Sequence, residues 1–568
     1  MNTKNNKNLF QKYYSYIFLA IIVLVSFIYQ LIMIFRFPYS YGVDGAYYDL
    51  NVINILETGD MWSQDNPVVF YYFAIWALII GDVAVSIKIG LITLCSLIPI
   101  PIYFIIKKFT ENEKIPLFGA FISTFNPLFF RLLGDFVKNA VGVLFLLVFI
   151  YIFIITCEKK YSIKKTIPLY LLSYGLFILI TFTHIYPTGY AVGVIFLYFI
   201  YSILYKLISE RKFPWKEFKL VVFLIISCGS TIFIGYLLAP EFFDQFSKIY
   251  TFVSSLFNAV PLIFQNLVLK QPPHSKPDLF GIQPVLFIVI VIIMIIGAVI
   301  IIIDIIRKRK EPKKLQYIAF LMIVYLPTYL VVPNVFQYPT GFFIERNPII
   351  DLLTLITTFP VSAGIALICY EIYKDNPEKR ALNRLKGNLL SIFLMSLVLA
   401  MPFISMEWRS RFAYMNFIPI SLIIGYGFKK LKLGRKKIAA LFLIGFFSVS
   451  SLVQTHYFCV YSFRPVLTTK GEEDLLYLKN YVESNSTLED SMVIIQDLGL
   501  YYFTILITDL ECKKSGKPDE LADQYNETIF EIIPKMGMPF HIEPGMEVIR
   551  NESNGQLLII LANYTYHD

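Results

Sequence analysis

The chain has 568 residues, 57% of them hydrophobic and 16% charged, with a formal net charge of +9. A soluble chain of this size carries about 25% charged residues, so a simple water-soluble domain is excluded. The basic excess sits in short segments between apolar runs, which makes it a topology signal and not a nucleic-acid surface.

The apolar runs approach the ~20 residues that cross a bilayer core. In chain order they place spans near 16–36, 83–106, 115–133, 138–156, 166–183, 187–205, 219–239, 283–306, 315–331, 350–373, 388–405, 412–428 and 437–459, thirteen in all. The first run is too long for a secretory h-region and lacks a small-residue cleavage site, so it reads as a retained span. Seven alternate connections, from the N-terminal Lys4, Lys7 and Lys12 to "KKLKLGRKK", hold 32 of the 50 Lys and Arg residues. The positive-inside rule then puts the N-terminus in the cytoplasm and the acidic loop after the first span outside. An odd number of spans puts the C-terminus outside as well.

Within that first loop, "NPVVFYYFAIWALIIG" (66–81) has an apolar part of about 14 residues, or ~21 Å as a helix, short of a ~30 Å core. Counting it as a span would move every later basic connection to the outer face. It is expected to lie in the outer interface, where its Tyr and Trp residues are at home. From Arg464 onward the composition changes. "EEDLLYLKNYVESN" reads as a helix, "SMVIIQ" as a strand and "EVIRNESNGQLLIILANY" as a hairpin with an Asn-Gly turn. The expected organisation is a transmembrane domain over 1–463 and a small extracytoplasmic α/β domain over 464–568. Sequons at Asn485, Asn526, Asn551 and Asn563 agree with an outside location. Six scattered cysteines form no disulfide framework and no CxxC metal spacing.

The chemistry-bearing residues collect at the outer face. "YGVDGAYYDLN" places Asp44 between glycines in the first loop, with Tyr47 and Tyr48 beside it. Asp49, Glu57, Asp60 and Asp65 are assigned to the solvated part of that loop. "NPLFFRLLGDFVKN" places Asp135 and Lys138 at the junction of the third and fourth spans. Lys138, three positions on, is expected to pair with Asp135 across a helical turn. "THIYPTGY" holds His184 in a tight turn. "PTGFFIERNP" offers Glu345, and "MEWRSRFAY" offers Arg409 and Arg411, whose planar donor forks suit phosphate. There is no GxGxxG, GxxxxGK[ST], HExxH or GxSxG pattern, which argues against soluble nucleotide, zincin or triad chemistry.

This order of features resembles the GT-C superfamily of membrane glycosyltransferases, and its layout is most similar to the catalytic subunits of oligosaccharyltransferases. The resemblance implies a mainly α, polytopic GT-C-like membrane protein of about 13 transmembrane helices with an external C-terminal domain. It makes Asp44 and Asp135 the acidic residues of the two motifs, 66–81 the interfacial helix, Glu345 a further acid and Arg411 a phosphate contact. The chain departs from that family at two places. Val137 stands where the second motif supplies a second metal ligand. No WWDYG occurs, and Trp62, Trp76, Trp215 and Trp408 are all isolated. The implied activity is therefore transfer of a sugar from a polyprenyl-phosphate donor to a glycan, lipid or protein acceptor at the outer face of the cell membrane. Asp44 is the expected general base, and Lys138 and Arg411 the expected cations on the leaving phosphate. Tyr47 and Tyr48 are expected to contact the sugar, with Arg409 and His184 as further substrate contacts. No cofactor is expected; the alternative is Mn²⁺ or Mg²⁺ at Asp44, Asp135 and Glu345. Membrane lipids are expected partners and nucleic acid is not. The alternatives are an oligosaccharyltransferase acting on protein asparagine, or a lipid-linked-sugar flippase or transporter. The last would carry charges buried at mid-span.

Overall fold

Proline, glycine and capping residues set the helix boundaries. The computed structural model describes residues 3–209 except 43, 111–113 and 158–162; isolated positions within 213–233 and 414–422; 284–306, 315–324, 362–371, 390–392 and 437–461; and 466–485, 491–514, 528–535 and 546–562 except 496, 553 and 554. Helix α1 (Thr3–Ile34) leads into the outer loop, which folds as α2 (Gly45–Thr58) and α3 (Pro67–Ile80). Pro67 opens α3 at a position whose N–H has no helical partner anyway, and Gly81 at φ +87° stops it. Helix α4 (Val83–Cys95) is capped by Asp82, whose carboxylate accepts from the Val85 N–H at 2.8 Å. After a short break, α5 (Pro99–Phe109) continues the same line, so Val83–Phe109 forms one 27-residue span candidate.

The expected third span is a bent pair. Helices α6 (Lys114–Thr124) and α7 (Pro127–Asp135) meet at 47°, because Pro127 forces Asn126 into extended backbone. Next come α8 (Val137–Cys157), α9 (Ile163–Thr183) and α10 (Ile185–Ser209), with α11 (Pro284–Ile306) and α12 (Lys437–Tyr461) further along. Among the described residues four helices are long and apolar enough to cross a membrane, or five if the bent pair counts as one. The core lies around α8, where Phe149 and Phe153 stack at 6.2 Å and pack towards Phe177 and Tyr198. Helix α3 has only 14 residues. It buries Val69, Phe70, Phe73 and Ala77 but leaves Ile75, Leu78 and Ile79 58%, 75% and 71% exposed. One apolar face is covered by protein and the other is open, the pattern of a helix lying along an apolar interface.

The tail contains α13 (Thr469–Glu483), β1 (Ser491–Ile495), α14 (Leu498–Thr508), β2 (Glu511–Lys513), β3 (Thr528–Pro534), β4 (Met546–Arg550) and β5 (Leu557–Ala562). The five strands form one mixed sheet in the order β2-β1-β3-β5-β4. Strand β1 runs parallel to β2 and β3, while β5 runs antiparallel to β3 and β4. Buried Asp474 ties α13 to this sheet: its carboxylate accepts from Arg550 Nε at 2.6 Å and from the backbone N–H groups of Gln556 and Leu557 at 2.9 and 3.0 Å. Helix α14 and strands β2 and β3 go beyond the elements expected from sequence. Helix α14 packs directly on α2. Ala46 is fully buried in the tail's own core, and Tyr39 meets Phe503 edge-on at 6.0 Å. These contacts bring the first loop and the tail together.

Candidate active site

The turn before α2 carries Asp44. Gly42 adopts φ +77°, a conformation that only glycine takes without strain. Its backbone lies so close to α7 that a Cβ there would sit 2.7 Å from Asp135 Cα and Gly134 O, and 3.1 Å from Asp135 Oδ1. The two acidic motifs, far apart in sequence, therefore meet backbone to backbone. Asp44 is half-buried at the N-cap of α2 and makes no side-chain cap bond there. It lies within electrostatic range of Asp135, whose carboxylate is 2.5 Å from Arg131 Nε.

Lys138, in the first turn of α8, is buried and pairs with the Asp65 carboxylate. Asp65 also accepts the Tyr47 hydroxyl at 2.7 Å and the Asn66 N–H at 2.7 Å, and Ser63 Oγ donates to the Tyr47 hydroxyl at 2.9 Å. Burial alone would raise the Asp65 carboxyl, but the Lys138 charge and these hydrogen bonds hold it below the usual carboxylate range. The Lys138 ammonium also lies 5.6 Å from the Tyr47 ring and 5.3 Å from the Phe70 ring. Burial, then the Asp65 charge, pushes the Tyr47 phenol up, so it is a donor here.

Three expectations about this loop are corrected. Asp65 is not solvated, because the loop folds back over α8. Asp49 is not solvated either: it is 4% exposed, accepts Ser40 Oγ at 3.0 Å and faces Lys88, whose ammonium donates to the carbonyls of Phe37 and Pro38 at 2.8 and 2.6 Å. Burial lifts the Asp49 carboxyl to about 7. Glu57 and Asp60 remain exposed. Finally, Lys138 pairs with Asp65 where Asp135 was expected. Helix α7 ends at Asp135 and Phe136 leaves helical geometry (φ −135°, ψ 59°), so Asp135 and Lys138 stand on different helices and their spacing is not one helical turn.

The remaining site residues divide. Tyr48 is 2% exposed, stacks on Phe70 at 5.5 Å and accepts the Lys138 backbone N–H at 3.3 Å; it is part of the wall, with no face open to a sugar. His184 stands between α9 and α10, stacked on Tyr186 at 5.0 Å, and its Nδ1 accepts the Tyr186 N–H at 3.3 Å. Its ring serves the start of α10. Glu345, Arg409 and Arg411 lie outside the described residues. Two rings missed in sequence border the site: Tyr502 of α14, 5.1 Å from Tyr47, and Trp62, 6.3 Å from Tyr502. Nothing in their local sequence marks them.

A divalent cation normally takes several oxygen donors. Among the described residues no group of three acidic or soft ligands exists, Val137 is buried and apolar, and the Asp135 carboxylate is held by Arg131. Glu345, the third acid of the alternative metal set, lies outside the described residues, and no step is routed through a metal.

The family model for dolichyl-phosphate-mannose-protein mannosyltransferase matches residues 64–232, which include Asp65, Asp135, Lys138 and His184. No curated protein matches the chain. The fold is similar to the oligosaccharyltransferase of Archaeoglobus fulgidus in its apo form, at TM-score 0.57 and 12% identity over 92% of this chain and 70% of that one. The same enzyme tethered to an acceptor peptide with the NVT sequon matches equally, over 93% and 70%. The mycobacterial arabinofuranosyltransferase AftD matches at TM-score 0.52 and 11% identity, over 97% of this chain and 40% of that one. Among the described residues the fold is mainly helical, with helices long and apolar enough to cross a membrane, and it is similar to the fold of these proteins. The chain's family match and these structural neighbours are glycosyltransferases.

Proposed function

We propose that the protein transfers one sugar from a polyprenyl-phosphate donor to an acceptor hydroxyl at the extracytoplasmic face. The observation that carries this reading is the meeting of the Asp44 turn with Gly134–Asp135, beside a buried ammonium at Lys138. The acceptor O–H loses its proton to Asp44 while its oxygen bonds to the anomeric carbon. The bond from that carbon to the phosphate oxygen breaks, and its electron pair leaves on polyprenyl phosphate. The transition state is oxocarbenium-like, and fixed cations aimed at the phosphate stabilise it. Lys138, already held by Asp65 and Tyr47, supplies one; Arg411 is the proposed second. Glu345, Arg409 and His184 remain proposed substrate contacts. The lipid tail stays in the bilayer, with α3 along the outer interface beside it. The basic connections place the N-terminus in the cytoplasm in this reading, and the contact of the first loop with the tail supports putting the C-terminus on the opposite side from it.

Membranes carrying the protein, incubated with labelled polyprenyl-phosphate sugars, should move one label to an acceptor, and Asp44→Asn should stop it. No transfer from any such donor sinks the reading. An asparagine-directed oligosaccharyltransferase is the rival favoured by the Archaeoglobus fold match, and glycosylation of a sequon peptide by the purified protein would select it.

A further inference from the structure

A row of aromatic rings leads away from Lys138. Tyr47 lies 5.6 Å from the ammonium, Tyr502 is 5.1 Å beyond Tyr47, and Trp62 is 6.3 Å beyond Tyr502. Tyr47 and Trp62 come from the first outer loop and Tyr502 from α14, so the row exists only when the tail is docked. Its members differ in openness: Tyr47 is walled by Phe70, Tyr48 and Tyr502, whereas Trp62 is 40% exposed. Tyr502 meets Trp62 at 83°, so the two rings form a corner and not a closed stack. Lys514 donates to the Tyr502 hydroxyl at 3.2 Å and lies 4.7 Å from its ring centre, fixing that side of the corner.

We infer that Trp62 and Tyr502 form a carbohydrate subsite that seats a pyranose ring of the acceptor. An aromatic face with a polar rim suits a sugar, which offers a C–H face to the ring and hydroxyls to its edge. The inference rests on the proposed function: with the donor phosphate at Lys138, its sugar occupies the level of Tyr47, and the next ring outward belongs to the acceptor. An interfacial tryptophan contacting lipid would be the ordinary explanation of an exposed Trp near a membrane. Here its ring neighbour is on the sheet-bearing tail, while the face of α3 open to lipid is formed by Ile75, Leu78 and Ile79.

The full chain in nanodiscs should be titrated with maltose, α-1,2-mannobiose and cellobiose, reading the heat of binding by isothermal titration calorimetry, and separately with farnesyl-phosphate mannose as donor probe. At least one disaccharide should bind saturably, with an affinity that falls at least fivefold in Trp62→Phe and in Tyr502→Ala. Donor-probe binding should be unaltered by Trp62→Phe and weakened at least tenfold by Lys138→Ala. The subsite is overturned if no disaccharide gives a response, or if the response survives Trp62→Phe. Loss of donor-probe binding in Trp62→Phe would assign the rings to the donor and overturn the acceptor assignment. If Lys138→Ala leaves donor binding intact while the disaccharide response behaves as expected, the reading of Lys138 fails and the subsite stands.

Discussion

Asp44 and Asp49 stand less than two helical turns apart, at the start and in the middle of α2, yet they occupy opposite environments. Asp44 is half-buried at a turn pressed against Asp135. Asp49 is sealed under the loop with Ser40 and Lys88, and burial lifts its carboxyl to about 7. Asp65 is a third case, nearly as buried as Asp49 but kept ionised by Lys138. Residue type is the same in all three. Access and partner decide which acid can meet a substrate, which holds a cation and which braces a loop.

The strongest test of that division is Asp44→Asn. In the proposed role of general base Asp44 would contribute ~10²–10⁴ in rate, so transfer should fall by that factor while expression and thermal stability stay unchanged. Near-normal transfer would remove Asp44 from the chemistry. Lys138→Ala should come next, through two routes. Losing the cation proposed to face the phosphate would cost on the order of 10²–10³ in rate. Leaving Asp65 buried and unpaired destabilises by about 3–5 kcal/mol, so the midpoint of unfolding should drop as well. Asp65→Asn, which keeps a hydrogen-bonding group beside Tyr47, should lower the midpoint less; equal losses would show that the pair is not the unit.

Gly42→Ala probes the junction of the two motifs. A side chain at φ +77° costs about 1–3 kcal/mol, and its Cβ would press on Gly134 and Asp135. Displacing a catalytic group by ~1 Å lowers rates about 10²-fold, so kcat should fall more than binding of the donor probe. An unaltered rate would mean that the close approach is structural filler.

Asp49→Asn should have a smaller effect, visible mainly in pH dependence. An acid whose folded pKa is raised binds its proton more tightly in the native state. Its contribution to stability therefore declines as pH rises from the unfolded value of ~3.9 towards about 7. Asp65 acts in the opposite sense: its folded pKa is depressed, so its contribution is full above the unfolded value and is lost as pH falls. Midpoints measured between pH 5 and 8 should decline less with pH in Asp49→Asn than in the wild type, with transfer largely retained. An unchanged slope would show that Asp49 is ionised throughout.

Local signals made part of this legible. The length of 66–81 marks α3 as too short to span, and the glycines around Asp44 mark a turn that approaches something closely. In the tail, the amphipathic run of α13, the apolar β1 and the Asn-Gly hairpin of β4 and β5 are all readable over short windows. What stayed hidden depends on contacts between distant positions. Asp65 and Lys138 are 73 positions apart, and nothing near Asp65 distinguishes it from exposed Glu57 or Asp60. The break at Phe136 defeats a helical-spacing argument that is otherwise sound. Tyr502 enters the site through the docking of α14 on α2, which no local pattern encodes.

The smallest effect is expected from chelation. The Asp44 turn meets Asp135 at Gly42, but Arg131 already pairs with Asp135, and Val137 adds only an apolar side chain. A cation there would face the Arg131 charge. In the proposed mechanism the positive charge at the leaving phosphate is the Lys138 ammonium, which Asp65 and Tyr47 hold in place. Transfer should survive excess EDTA, with the same rate before and after added Mn²⁺ or Mg²⁺. Loss of transfer in EDTA, restored by Mn²⁺, would instead require Asp44, Asp135 and Glu345 to assemble around a metal, and would move the phosphate's counter-charge away from Lys138.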